Sequence, residues 1–270
     1  MKELWHLILY QPLVNALIFL YKVLFQNFGL ALIVLTVAIR FALFPLTRSS
    51  MRAASKMREL APELEKLKKK YGKDKQAYAK AQMDLYKQHG ANPAAGCLPQ
   101  IIQLIVLIAL YQAFIQVLRV DGDVIQKLNE VLYPQLQLPA ETVINTRFLY
   151  LDLGKPDISH LPGIPIPLPG FFLLAAALAQ LIYSKMMMPA IAAAKKEATK
   201  TPGMADDMAT TMQSQMTYMF PLLTILIGYS FPSGLVLYWL TFSLLMAIQQ
   251  YFIGGWGGLE PWLRKLKLKR

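Results

Sequence analysis

Residues 28–46 read FGLALIVLTVAIRFALFPL. As a helix rising 1.5 Å per residue, this run approaches the roughly 30 Å thickness of a bilayer's hydrocarbon core. It holds a single charge, Arg40, and no acid. Working outward, four more apolar stretches suggest themselves, so that the spans are expected at 28–47, 97–118, 171–188, 216–231 and 235–253. The fourth is short and contains Pro221 and Gly228. Pro232-Ser233-Gly234 follows it at once, a tight-turn signal that makes the last two spans a hairpin. Composition agrees: of 270 residues 55% are hydrophobic and 16% charged, against about 25% charged in soluble domains. The mean hydropathy is +0.37. Cys97 is the single cysteine, so an internal disulfide and a cysteine-built zinc site are excluded. His6, His89 and His160 share no ligand spacing. The expected fold class is an all-α integral membrane protein with five transmembrane helices; disorder and a soluble α/β enzyme are disfavoured.

Lysine and arginine set the orientation, because they concentrate on the cytoplasmic side. With five spans, the segments 48–90, 185–215 and 254–270 share one side and carry 21 of these residues. The opposite side carries six, and Arg40 lies within a span. The N-terminus is therefore expected outside and the C-terminus in the cytoplasm. In residues 1–27, Gln11, Asn15, Lys22 and Gln26 cluster on one side of a helical wheel whose remainder is mostly apolar. That pattern suits an interfacial amphipathic helix on the outer side. A signal anchor is the rival reading; Pro12 interrupts the run and no small-residue cleavage site follows.

Between the first two spans, Met57, Leu60, Leu64, Leu67 and Tyr71 repeat with spacings of three and four, an a/d seam. Gly72-Lys73-Asp74 breaks it, Tyr78, Ala81 and Leu85 resume it, and Gly90 and Pro93 end it. Residues 48–92 are expected to form a basic, antiparallel cytoplasmic helical hairpin. It is either a solvated loop or a docking surface for anionic headgroups, a ribosome or a substrate. The extracytoplasmic loop 119–170 is mildly acidic and proline-rich, with Pro162, Pro165, Pro167 and Pro169 making its end extended. The tail 254–270 ends in Arg264, Lys265, Lys267, Lys269 and Arg270, suited to headgroups or to RNA phosphates without sequence reading.

Arg40 is the informative residue. An arginine near a helix centre costs about 2.5–3.5 kcal/mol on insertion scales, and no Asp or Glu occurs in any of the five spans. Three fates are open to it: snorkelling to headgroups, bonding to neutral groups, or facing a hydrated cavity. Thr36 lies one turn earlier on the same face, and other spans add Gln103, Gln112, Gln116, Gln180, Ser184, Thr217, Thr224 and Trp239. Polar groups in every span around one positive charge favour a wet groove. Lacking an intramembrane acid, the groove has no evident proton relay or sodium site. There is no GxxxxGK[ST] motif, and no Ser–His, Cys–His or HExxH constellation at membrane depth. No enzyme activity, cofactor or metal is expected. Ten of the 13 methionines fall on the cytoplasmic side, where flexible thioethers suit varied apolar ligands.

Several pieces then carry a resemblance. Gly29-Leu30-Ala31 leads through Leu35-Thr36-Val37-Ala38-Ile39-Arg40 to Pro45-Leu46. Leu60-Ala61-Pro62-Glu63-Leu64, Lys70-Tyr71-Gly72 and Asn92-Pro93 follow, then Gly96-Cys97-Leu98-Pro99-Gln100, Ala109-Leu110-Tyr111 and Phe231-Pro232-Ser233-Gly234-Leu235-Val236-Leu237-Tyr238-Trp239. In order and spacing, over nearly the whole chain, these resemble the YidC-type membrane protein insertases of the YidC/Oxa/Alb superfamily. The resemblance implies a five-helix core with a groove open to cytoplasm and lipid and closed to the outside. It implies that Arg40 engages the hydrophilic segment of a substrate, with Thr36 and Trp239 at groove positions. Where one family pattern has Gln before a Lys-Met pair, Ser184 stands here, with Gln180 one turn earlier. The chain is expected to be a bacterial short form without a large periplasmic domain, in the bacterial cell membrane. Its implied partners are nascent membrane proteins and membrane lipids. A ribosome, reached through the basic tail and hairpin, and the Sec translocon are further candidates, and no sequence-specific nucleic acid binding is expected. A small-anion channel or carrier is the alternative function, and a passive scaffold a third.

Overall fold

The computed structural model describes residues 2–71, 74–90, 98–118, 124–160, 162–163, 165, 167–187 and 217–265. It is mainly helical. Helix α1 covers Glu3–Val23 and α2 Phe28–Ala42. Then come α3 Phe44–Glu59, α4 Ala61–Tyr71, α5 Lys75–Gln88, α6 Leu98–Leu118 and α7 Val124–Asn129. After the outer loop follow α8 Phe171–Met187, α9 Thr217–Gly228, α10 Ser233–Gly254 and α11 Glu260–Lys265. Among the described residues, α1 and α10 are long and apolar enough to cross a membrane. The apolar run that begins at Phe28 counts as a third only if Phe28–Ala42 and Phe44–Ala53 are taken together. Pro45 explains the break, since its ring lacks an N–H and clashes with the preceding turn, while the first turn of a new helix tolerates it. Helices α8 and α9 are shorter apolar helices. Helix α1, expected to lie in the interface, therefore has the length of a span.

The chain divides into two compact units. The first comprises Met1–Ala42, Ile101–Ala177 and Leu223–Ser243. Its core joins Val14, Leu17 and Ile18 of α1 to Phe28 and Leu32 of α2, Leu110 of α6, Leu128 of α7, Leu173 of α8 and Tyr238 of α10. The polar stripe of α1 is spent on protein. Asn15 is 2% exposed. Its Nδ2 donates to the carbonyls of Gln11 (2.8 Å) and Val131 (3.0 Å), and its Oδ1 accepts from the Tyr133 N–H (2.7 Å). Gln11 donates to the Val131 carbonyl as well, and Lys22 to that of Gln137.

Among the described residues, the segment between α7 and α8 is not featureless coil. Arg147–Phe148 (β1) pairs antiparallel with Leu151–Asp152 (β2), with Phe148 opposite Leu151. Ile158–Ser159 (β3) pairs with Leu168–Pro169 (β4). A side chain on Gly29 would strike the Phe148 ring, so glycine at the start of α2 is what lets β1 approach. The turn after β2 then caps two helices. Asp157, 3% exposed, accepts from the Leu173 N–H through Oδ2 (2.8 Å) and from the Tyr150 hydroxyl through Oδ1 (2.9 Å). The Asp157 carbonyl accepts from the Gly170 N–H (2.8 Å), and the Tyr150 hydroxyl accepts from the Phe172 N–H (3.3 Å). These bonds satisfy the first amides of α8, which have no partner within the helix. At α10, the Ser233 and Gly234 N–H groups donate to the carbonyls of Lys155 (2.7 Å) and Leu153 (3.1 Å). The Ser233 hydroxyl donates to the Asp152 carbonyl (2.9 Å). The all-α expectation for the chain thus holds for its bulk, and short strands appear where a loop must turn carbonyls toward helix ends.

The second unit comprises Leu43–Gln100, Leu178–Leu222 and Leu244–Arg270. In it, Leu60 and Leu85 are buried together against Leu64, Leu67 and Tyr86, which joins α4 to α5. Asp74 caps α5 by accepting from the Gln76 and Ala77 N–H groups at 3.0 Å. His89 lies 3.7 Å from Glu63, which sets the end of α5 beside the start of α4. Met51 and Met186 are buried, and Met83 is exposed. Two of the methionines that suggested a capture surface therefore fill core space. Met188, Met204, Met208, Met212 and Met216 lie outside the described residues.

Two outcomes follow. Asn15→Leu removes the acceptor of the Tyr133 N–H and leaves the Val131 carbonyl to Gln11, and is expected to cost about 1–3 kcal/mol, read as a fall in unfolding midpoint in detergent. The Asp152 carboxyl is pushed up by burial, but the Gly154 N–H, the Thr146 hydroxyl and Lys155 outweigh this and hold it below its ordinary value of 3.8. A depressed carboxylate stabilises the fold above its unfolded value and loses that contribution as pH falls through the folded one. Acidification below about pH 4 is expected to loosen the outer loop in the wild type, and Asp152→Asn is expected to flatten that step; hydrogen exchange of residues 147–155 reads it.

Candidate functional site

The site is built on the face of α2 that carries Thr36 and Arg40, four residues apart and so one above the other. Both are buried, at 1% and 2% exposure. The Thr36 hydroxyl donates to the Leu32 carbonyl at 2.7 Å, so its proton is committed to its own helix. The Arg40 guanidinium carbon sits 4.9 Å from the ring centroid of Phe242 on α10. A cation over an aromatic face is drawn by the ring's quadrupole, worth about 2 kcal/mol when water is excluded. Phe242 in turn packs on Tyr238, with ring centroids 6.0 Å apart. Trp239, half-buried against the same core, lies three residues before Phe242 on the same side of α10.

The first unit holds Arg40, Thr36 and Trp239, with the buried Arg40 guanidinium set over Phe242. At 2% exposure Arg40 does not reach out as a snorkelling side chain would. No aspartate or glutamate lies in α2, α6, α8, α9 or α10, so the positive charge is not neutralised by an acid of these helices. An anionic or strongly polar group brought to Arg40 meets a low-dielectric setting, where Coulomb attraction is stronger than in water.

Gln180 and Ser184 lie on α8 in the second unit, half-buried and one turn apart. Gln103 lies on α6, and its side chain is outside the described residues. Near the end of α8, Lys185 stands over the Trp262 ring at 3.7 Å and the Tyr218 ring at 5.4 Å, tying α11 and α9 to α8. Among the described residues no group of three or more His, Cys, Asp or Glu could hold a metal ion. Sequence reasoning missed Phe242, which reads as one more apolar residue in an apolar helix. It also missed Asp157, whose capping role carries no local signature because the amide it caps is 16 residues away.

The 60Kd inner membrane protein family matches residues 19–256 of this chain. The membrane protein insertase YidC of Fusobacterium nucleatum is 36% identical over 227 residues, which is 84% of this chain and 86% of that protein. The membrane protein insertase MisCA of Bacillus subtilis is 29% identical over 93% of this chain and 79% of its own length. The membrane protein insertase YidC of Geobacter metallireducens is 30% identical over 92% of this chain, which spans only 37% of that longer relative. With most of its length matched, and with the pieces around Arg40 and Phe231–Trp239 in their expected order, this chain belongs to the 60Kd inner membrane protein family, that of the YidC-type insertases.

Proposed function

We propose that the protein is a membrane protein insertase and chaperone that works without nucleotide hydrolysis. The observation that carries this reading is Arg40: a buried cation, set against Phe242, in a chain whose expected spans contain no acid. Family membership and the names of the relatives support it. Five spans run with the N-terminus outside and the C-terminus in the cytoplasm, as the distribution of Lys and Arg argues. The paired helices α4 and α5 then lie in the cytoplasm, and α1 lies in the outer interface.

The mechanism has three steps. The helical hairpin and nearby flexible apolar side chains receive a nascent segment. Its short hydrophilic part enters a hydrated groove near Arg40, Thr36, Trp239, Gln103, Gln180 and Ser184, where the positive charge lowers the cost of bringing polar groups to membrane depth. Its apolar helix then leaves sideways into lipid, driven by burial worth about 25 cal/mol per Å². Nascent membrane proteins and lipids are the partners, and the ribosome is reached through the hairpin and the basic tail. The Sec translocon is a further candidate partner in the bacterial cell membrane. No observation favours the anion channel.

Purified protein in liposomes, offered a single-span substrate with a short translocated tail, tests the mechanism by protease protection of that tail. Arg40→Ala and Arg40→Glu are expected to lose about tenfold in insertion, the equivalent of about 1.4 kcal/mol, while Arg40→Lys keeps most of it. Equal insertion by all four proteins sinks the role of the groove charge. If the wild type itself fails to insert, the insertase reading falls and anion flux is measured next. Topology is tested separately in a Cys97→Ser background. A membrane-impermeant thiol reagent is expected to label Lys155→Cys in intact cells and Lys80→Cys only after permeabilisation.

A further inference from the structure

The outer loop exposes more apolar surface than a segment facing only water would be expected to. Val143 is 88% exposed and Leu149 78%, and Phe25, in the turn between α1 and α2, is 90% exposed. Two contacts bring these residues to one flank of the first unit. The Asn145 N–H donates to the Tyr21 hydroxyl (2.9 Å) near the end of α1. The Phe148 ring lies against Gly29 at the start of α2. Residues 143–149 therefore run past the junction of α1 and α2, where Phe25 sits.

The backbone adds a second observation. Phe25 and Leu149 have φ of 55° and 54°. Few non-glycine residues adopt this left-handed region, and those that do are mostly Asn or Asp. The chain instead holds a phenylalanine and a leucine there and turns both side chains outward. In water this arrangement has neither local conformational preference nor apolar burial in its favour. On α1, a helix apolar enough to cross a membrane, Phe19 and Val23 just before this junction are exposed as well. The nearby turn, by contrast, presents Lys155 at 79% side-chain exposure and Asp152 at 40%. The loop thus has one polar edge and one apolar edge.

We propose that Phe25, Val143 and Leu149 form a lipid-inserted edge, whose occupant is the acyl-chain region of the leaflet on the outer-loop side. Interfacial side chains reach about 5–10 Å into the boundary between headgroups and acyl chains, within range of these three. The edge holds the outer loop, and with it the caps on α8 and α10, at a fixed depth. The inference rests on the reading that the chain spans a bilayer. The experiment separates the two.

Full-length protein carrying Cys97→Ser is labelled with bimane at Leu149→Cys, Phe25→Cys, Lys155→Cys or Leu178→Cys, all exposed positions. Each is placed in phosphatidylcholine liposomes with or without acyl-chain bromination, and aqueous iodide is added in parallel. Emission at 149 and 25 is expected to fall with brominated lipid, as at 178, and to resist iodide. Emission at 155 is expected to fall with iodide only. If 149 and 25 behave like 155, the edge faces water and the proposal fails while the span reading stands. If they are shielded from both quenchers, a protein occupies the edge, a second copy or a substrate segment, and the proposal fails as well. If 178 is not quenched by brominated lipid, the membrane reading falls and takes the proposal with it.

Discussion

The first amides of a helix have no acceptor within it, and at a membrane boundary water is not a dependable substitute. This constraint shapes the segment between α7 and α8. One short segment, Tyr150 to Asp157, answers it for two helices. The Asp157 carboxylate and the Tyr150 hydroxyl take the opening amides of α8, and the carbonyls of Leu153 and Lys155 take those of α10. The segment is itself held by the Asp152 carboxylate, which accepts from Thr146 and Gly154 and pairs with Lys155 at 3.4 Å. Asp157 also carries negative charge to a helix N-terminus, where the macrodipole favours it. A side chain on Gly170 would strike this carboxylate, so the close approach depends on glycine.

A different economy governs the buried polar groups along the helices. The hydroxyls of Thr36, Thr47 and Thr241 donate to carbonyls of their own helices. Such groups are tolerated at depth because they satisfy themselves. The Arg40 guanidinium lies over the face of Phe242. An aromatic face offsets part of the desolvation without neutralising the charge.

The N-terminal helix shows how the same residues can support more than one reading. Gln11, Asn15 and Lys22 form a polar stripe that suits a water-facing surface. In the folded chain the stripe is bonded to the carbonyls of Val131 and Gln137 and to the amide of Tyr133. Val14, Leu17 and Ile18, meanwhile, are fully buried. The outer loop therefore replaces water for α1 just as it does for the ends of α8 and α10. The apolar remainder of α1, with Phe19 and Val23, stays exposed.

Much of this was legible in the amino-acid sequence because it rests on local periodicity and bulk hydropathy. The apolar runs are helices in the structure, the three-and-four spacing around Leu60, Leu64 and Leu67 marks a packed helix face, and Arg40 stands out as the one charge in its run. The break at Leu43 follows from Pro45, and the turn at Pro232-Ser233-Gly234 from its composition. The rest depended on residues distant in the chain. Asp157 becomes a cap only because β3 and β4 pair and bring it under Leu173. Asn15 finds Val131 across 116 residues, and Phe242 becomes the seat of a cation only because α10 packs beside α2. Hydropathy determines which segments leave water. Which polar group meets which is decided only when the packed backbone fixes distances, because hydrogen bonds and cation–ring contacts need atoms placed within a few tenths of an ångström to a few ångströms, and no composition or period encodes that.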